Sequence, residues 1–202
     1  STNTINDKEV YRLSGTISPE TKDLNLDLRI NQLRPFLLEP FTKGIVSNMK
    51  GNISADLTIT GKTSSPIVNG MAYLNDIQAK IDFLNTTYSI TAPIAISPTE
   101  FSIKNDTLND GLGNIAVVNA SVTHKNLKNF KFNINIQPQK LLALNTTAKQ
   151  NKVFYGTAYA SGLVQILGDL RNLEMRINAL TEKNSRVFIP LSNRTQIQDQ
   201  SF

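Results

Sequence analysis

The sequence predicts an all-β protein: an elongated, curved β-groove of about fourteen strands with one short helix near residues 34–49. Three observations carry that prediction. Apolar and polar residues alternate through one segment after another, as in Ile53, Ala55, Leu57 and Ile59 against Ser54, Asp56, Thr58 and Thr60. In an extended chain a period of two puts each set on its own face. The connections between these segments are short and rich in Gly, Pro, Asn and Ser, too short for helical crossovers. Helical periodicity, finally, is nearly absent, so the dry faces must curl onto themselves or be offered to something else.

Taken in order, residues 1–9 read as a flexible end, residues 10–191 as a single β-groove domain and residues 192–202 as a polar tail. Val10, Leu13 and Ile17 open the strand material, which breaks at Ser18-Pro19. Leu24, Leu26, Leu28 and Ile30 then alternate with Asp23, Asn25, Asp27 and Arg29 in a regular strand. From Leu33 the period changes. Phe36, Leu37, Phe41, Ile45, Val46 and Met49 recur at three to five residues, along one side of a helix that starts near Pro35 and is kinked at Pro40. Its expected role is to cover part of the apolar sheet surface.

Strands follow at 52–60 and 67–74, with a turn at Asn75-Asp76 before the strand 77–83 containing Ile77, Ala79, Ile81 and Phe83. Ile90, Ile94 and Ile96 surround Pro93, which with Pro98 calls for a sheet edge or a bulge because proline donates nothing to a ladder. Residues 105–113 read as the clearest loop. The later strands are 114–122, with Val118 on its inward face, 130–137 with Phe132 and Ile134, 152–160, 162–168, 173–179 with Met175, and 187–191.

Composition bounds the chemistry. The 202 residues carry a formal charge of +5, yet only 18% are charged, so the wet faces are mainly Asn, Thr, Ser and Gln. Basic residues are scattered among acids, which argues against nucleic acid as a partner and is compatible with anionic headgroups. The absence of cysteine excludes disulfides, thiolate metal sites and a thiol nucleophile. No apolar run reaches membrane-spanning length, and the chain starts at Ser1 without a signal-like segment; it reads as a processed chain or an excised fragment with any membrane anchor missing.

No catalytic, cofactor or metal site is expected. His124 is the lone histidine and reads as an exposed turn residue. Asp106 and Asp110 miss the calcium-loop pattern, and no serine sits in a nucleophile elbow. The glycines match no nucleotide-binding fingerprint. Asn-x-Ser/Thr triplets at Asn52, Asn85, Asn119 and Asn145 are expected by chance in so Asn- and Thr-rich a chain.

A resemblance adds to this reading. It is carried by Leu37-Leu38-Glu39-Pro40-Phe41-Thr42-Lys43-Gly44-Ile45-Val46-Ser47-Asn48-Met49-Lys50-Gly51, by Ala55-Asp56-Leu57-Thr58-Ile59-Thr60-Gly61 and by Pro66-Ile67-Val68-Asn69-Gly70. Asp82-Phe83-Leu84-Asn85-Thr86-Thr87-Tyr88 and the run from Phe154 to Gly162 continue it. In order and spacing these resemble the C-terminal region of the TamB family, the translocation and assembly module proteins, in the form found in Bacteroidota, and more distantly the AsmA-like proteins. The resemblance implies a periplasmic β-groove whose parent protein is anchored in the inner membrane and reaches the outer membrane. It further implies phospholipid transport between the membranes, or assembly of outer-membrane proteins, together with an Omp85-type barrel partner. It brings no catalytic residues. Asp106-Thr107-Leu108 also looks like the sequence to which Bacteroidota attach O-glycans, with Thr107 the acceptor.

If the groove carries phospholipid, its acyl chains are expected against Leu26, Leu28, Leu57, Ile59, Ile81, Phe83, Val118, Phe132, Ile134 and Met175. A two-sheet sandwich is the alternative architecture. A docking or chaperoning module that pairs its sheet edges with incoming outer-membrane polypeptides is the alternative function.

Overall fold

The computed structural model describes residues 2–5, 8–36 and 44–190. They form one antiparallel sheet of thirteen strands: β1 Thr2–Ile5, β2 Lys8–Ile17, β3 Asp23–Leu33, β4 Val46–Lys62, β5 Ser65–Ile81, β6 Thr86–Ile96, β7 Glu100–Asn109, β8 Ile115–Lys125, β9 Lys128–Gln139, β10 Leu141–Thr146, β11 Tyr155–Asp169, β12 Leu173–Thr181 and β13 Arg186–Phe188. β1 to β9 pair in sequence order, so each connection is a hairpin. β11 then takes β9 and β10 along one edge and β12 and β13 along the other. A single continuous sheet replaces the sandwich alternative.

The expected helix at 34–49 is not found among the described residues. No helix is present among the described residues beyond a two-residue turn at Pro35-Phe36, and Leu37 to Lys43 lie outside them. Val46 to Met49 belong to β4, where the register against β5 shifts between Ser47 and Lys50. Asn48 takes a positive φ of 54° there. The extra residue of this bulge places Val46 and Met49 on the same face three positions apart, a spacing that in the sequence imitates a helical turn.

Two more breaks in alternation are also bulges. The turn expected at Asn75-Asp76 lies inside β5, whose register against β6 shifts between Leu74 and Ile77. The loop expected at 105–113 is largely β7, shifted against β8 between Ile103 and Asp106. Both carry a residue at positive φ, Asp76 at 47° and Asn105 at 53°. In each the freed amide is taken from across the sheet: Asp76 N–H donates to Thr91 Oγ1 at 3.1 Å and Asn105 N–H to Asn119 Oδ1 at 3.0 Å. The loop proper is Asp110–Asn114. Pro93 lies where the β6–β7 ladder is interrupted, between Ile90 and Ala95, so its missing N–H breaks no regular pairing.

The bulges keep the apolar residues on one face. Ala72 and Leu74 are followed by Ile77, Ala79 and Ile81, and the shift of parity at Asp76 leaves both sets on the same side. On the opposite face polar side chains pair across strands, as Arg29 Nε with Asp56 Oδ1 at 2.7 Å, Asn75 Nδ2 with Asn52 Oδ1 at 3.0 Å and Gln165 Nε2 with Asn135 Oδ1 at 2.8 Å. Such cross-strand pairs each contribute little, the exposed Arg29–Asp56 pair least of all, and their effect is to keep that face wet and specify register.

A one-sided apolar face with a closed rim

Cross-strand register arranges the apolar face in rows. One runs Leu13, Leu28, Leu57, Gly70, Ile96, Phe101, Val122, Phe132, Gly168, Leu173. A parallel row carries Ala120, Ile134, Ile166 and Met175, and another Val118, Ile136, Val164 and Ile177. Directly opposed residues of an antiparallel pair point to the same side, so each row is a continuous apolar track across the sheet.

Burial shows how thinly this face is covered. The deeply buried apolar residues on β4 to β8 are small, Ala55, Ala72, Ala92 and Ala116, with Val118 beside them. Leu26, Leu28, Leu57, Ile59, Ile81, Phe132 and Ile134 stay only half-buried between the alanines and solvent. A packed second layer would have buried the large side chains first. At the β12 edge coverage falls away altogether, and Met175 is 58% exposed.

Of the ten residues expected to line the groove, nine lie on this face. Phe83 does not: it sits in the β5–β6 turn, 60% exposed, its ring edge-on to Phe154 with centroids 5.4 Å apart. The ten expected residues do not include those of the most apolar hollow on this face, an open depression of about 310 Å³ lined by Ile94, Ile96, Phe101, Ile103, Ala120 and Val122. Period-two spacing at Ile94/Ile96 and Phe101/Ile103 was its available signal, hidden by the prolines on either side.

His124 is another departure. It is only 8% exposed, packed against Phe101 at 4.7 Å and Phe130 at 5.8 Å between ring centroids. Its backbone N–H donates to Thr99 O at 2.8 Å and its Nδ1 accepts from Leu127 N–H at 3.3 Å, so it pins two hairpin turns to each other. Thr107 likewise is not on a loop tip: it is half-buried in β7, opposite Val117. Among the described residues no group of three or more His, Asp or Glu side chains is placed to hold a metal ion.

The sheet meets itself at one rim. β9 and β10 are nearly one strand, broken at Lys140, whose φ is 57° and whose N–H donates to Ser161 Oγ at 2.9 Å. Beyond the break, β10 leaves the edge of β8 and reaches β6. Asn145 N–H donates to Leu84 O at 2.9 Å, Asn85 Nδ2 to Asn145 O at 2.5 Å and Tyr88 Oη to Leu142 O at 2.8 Å. Asp110 fixes the middle. Its Oδ1 accepts from the amides of Leu112 and Asn114, and its Oδ2 from Asn114 Nδ2 and from the Leu142 amide at 3.0 Å. Burial by itself would raise the Asp110 pKa, but the hydrogen bonds from Asn114, Leu142 and Leu112 outweigh it and hold the carboxyl below its ordinary 3.8. Tyr88 moves upward, because burial dominates there and the nearby Thr86 hydroxyl offsets only part of it.

This rim holds the densest packing. Leu141, Leu142, Leu144 and Ala158 are buried, as are Thr86, Thr146 and Asn151, and Ala116 is 0% exposed. No family model matches the chain, and no curated protein or solved structure is significantly similar to it. No helix among the described residues is long and apolar enough to cross a membrane.

Proposed function

We propose that the apolar face is a binding track for phospholipid acyl chains in a TamB-like protein of the periplasm, whose parent is anchored in the inner membrane. The observation that carries this reading is the set of half-exposed apolar rows running from β2 to β12 without a second layer over them. Contiguous apolar exposure of that kind suits a surface for an apolar partner. Each buried CH₂ contributes about 0.8 kcal/mol, so a partly covered acyl chain is held firmly. The headgroup stays in water at the rim. Repetition of similar shallow positions, rather than one deep pocket, suits movement along the rows. On this reading the protein binds and conducts without catalysing a reaction, and an Omp85-type barrel is met through the parent protein.

The test is lipid recovery. The chain is purified from membranes of its native host, and bound phospholipid is measured by mass spectrometry for the unaltered protein, Leu57→Asp and Ile134→Asp, with Thr58→Asp and Asn133→Asp as polar-face controls. Lipid should be lost from the first two variants and kept by the controls, all four retaining β-sheet circular dichroism. Equal recovery from folded inward-charge variants would defeat the reading.

A second reading, a docking or chaperoning module for outer-membrane polypeptides, is favoured by β12. Its nine pairs with β11 contain no bulge and all nine residues are exposed. Such an unguarded edge is able to accept an added strand. Crosslinkers placed on β12 and on the apolar face separate the two, since polypeptide adducts at β12 support the second reading and lipid adducts alone the first.

A further inference from the structure

We propose that β10, together with the half of β11 paired to it, is a strap that opens at its β6 side while the rest of the sheet stays folded, and so controls access to the rim of the apolar face. The lipid part of this rests on the proposed function; the opening itself does not.

The asymmetry of β10 carries the argument. On one side it is held to β11 by a regular backbone ladder from Leu141↔Ala160 to Thr146↔Gly156. On the other, three of the four hydrogen bonds that join it, among the described residues, to the β5–β6 region and the β7–β8 loop depend on a single side chain each, from Tyr88, Asn85 and Asp110. Polar atoms buried in this region gain no hydrogen bond in the closed arrangement. Beside the Asn85–Asn145 junction, Thr86 Oγ1, Thr146 Oγ1 and Asn151 Nδ2 are buried without a hydrogen-bond partner among the described residues. The Thr86 hydroxyl lies near the Tyr88 phenol but outside hydrogen-bonding geometry. Each such group opposes closure by the desolvation it suffers. Burial of Leu141, Leu142 and Leu144 works the other way, leaving the closed junction a balance of opposed contributions. The strap also has two natural pivots. Lys140 at φ 57° separates β10 from β9, and Gly162 at φ 146° lies just beyond the paired half of β11. Opening about them uncovers Leu141 and Leu144, which share the face of Ala158 and Ala160 and extend the apolar track to the rim.

Amide hydrogen exchange resolved by residue tests this on the whole chain. In the unaltered protein the Leu142 and Asn145 amides, which donate toward Asp110 and Leu84, should exchange at least about tenfold faster than amides of the β4–β5 ladder, as expected for local opening. Tyr88→Phe removes one closing bond and should speed exchange at Leu142 and Asn145 about three- to tenfold, with β4–β5 unchanged. Thr86→Val with Thr146→Val replaces two unpartnered hydroxyls by methyls and should slow the same two amides. Rates at Leu142 and Asn145 equal to those of β4–β5, or variants that shift all amides alike, would overturn the strap. Uptake of cis-parinaric acid, followed by its fluorescence, should be faster with Tyr88→Phe and slower with the double valine variant. Unchanged uptake alongside altered exchange would overturn the control of access. Absence of uptake by the unaltered chain would defeat the proposed function, while the exchange rates would still decide whether the strap opens.

Discussion

Asp110 concentrates at one residue what the rim requires. A buried carboxylate is tolerated there because amides and an amide side chain surround it. Since its folded pKa lies below the unfolded value, its contribution to stability is fully present above about pH 4 and is lost as pH falls through the folded pKa. Acid should therefore release the Leu142 amide in that range, and in Asp110→Asn, whose side chain never ionises, that pH step in exchange should disappear. The same variant should lower stability to urea by about 1–3 kcal/mol at neutral pH. Gly70 is constrained differently. At φ 143° in mid-strand, an added Cβ would lie 2.1 Å from Asp56 O. Gly70→Ala is expected to cost more than about 1 kcal/mol, measured by chemical denaturation.

At the scale of the element, the bulges decide how a one-faced strand stays one-faced. Asx residues tolerate positive φ, and that tolerance serves a turn or a bulge equally well. Asn75-Asp76 and Asn105-Asp106 therefore read as chain reversals in sequence, whereas the structure uses Asp76 and Asn105 to add one residue and restore the apolar parity. Val46 and Met49 read as helical for the same reason. Position along the strands also sets the cost of a charge. Leu57→Asp lies on a half-exposed track where the carboxylate still reaches water, so the protein should remain folded. Ala116→Asp puts a carboxylate at a position of 0% exposure, between Leu108 and Pro138, and should destabilise by about 3 kcal/mol or more. Parallel urea titrations of the two variants distinguish a one-layer face from an ordinary core, in which both would unfold the protein.

The later strands of the sheet end in two different ways. At the rim beside β6 the sheet meets itself through β10; at β12 it stops among the described residues, with Leu173, Met175 and Ile177 exposed in a row. Neither proline nor a bulge blunts that edge, and its only charges, Glu174 and Arg176, pair with each other at 2.8 Å. Exposed edges of this kind associate. Sedimentation velocity should show concentration-dependent self-association that Ile177→Lys weakens without altering circular dichroism.

The sequence by itself determined the all-β class, the short hairpin connections and the face on which Leu26, Leu28, Leu57, Ile59, Val118, Phe132 and Ile134 lie, because alternation and turn residues are local properties of an extended chain. It mistook bulges for a helix, a turn and a loop, because one inserted residue is visible only against its partner strand. It misplaced Phe83, since alternation continues into a turn that only chain reversal ends. The burial of His124 between Phe101 and Phe130, and the reach of Asp110 to Leu142, join residues far apart in sequence whose local surroundings are ordinary and polar. Only the tertiary structure decided that β10 leaves β8 and closes on β6, because that contact depends on how the whole sheet bends, and no periodicity along the chain records it.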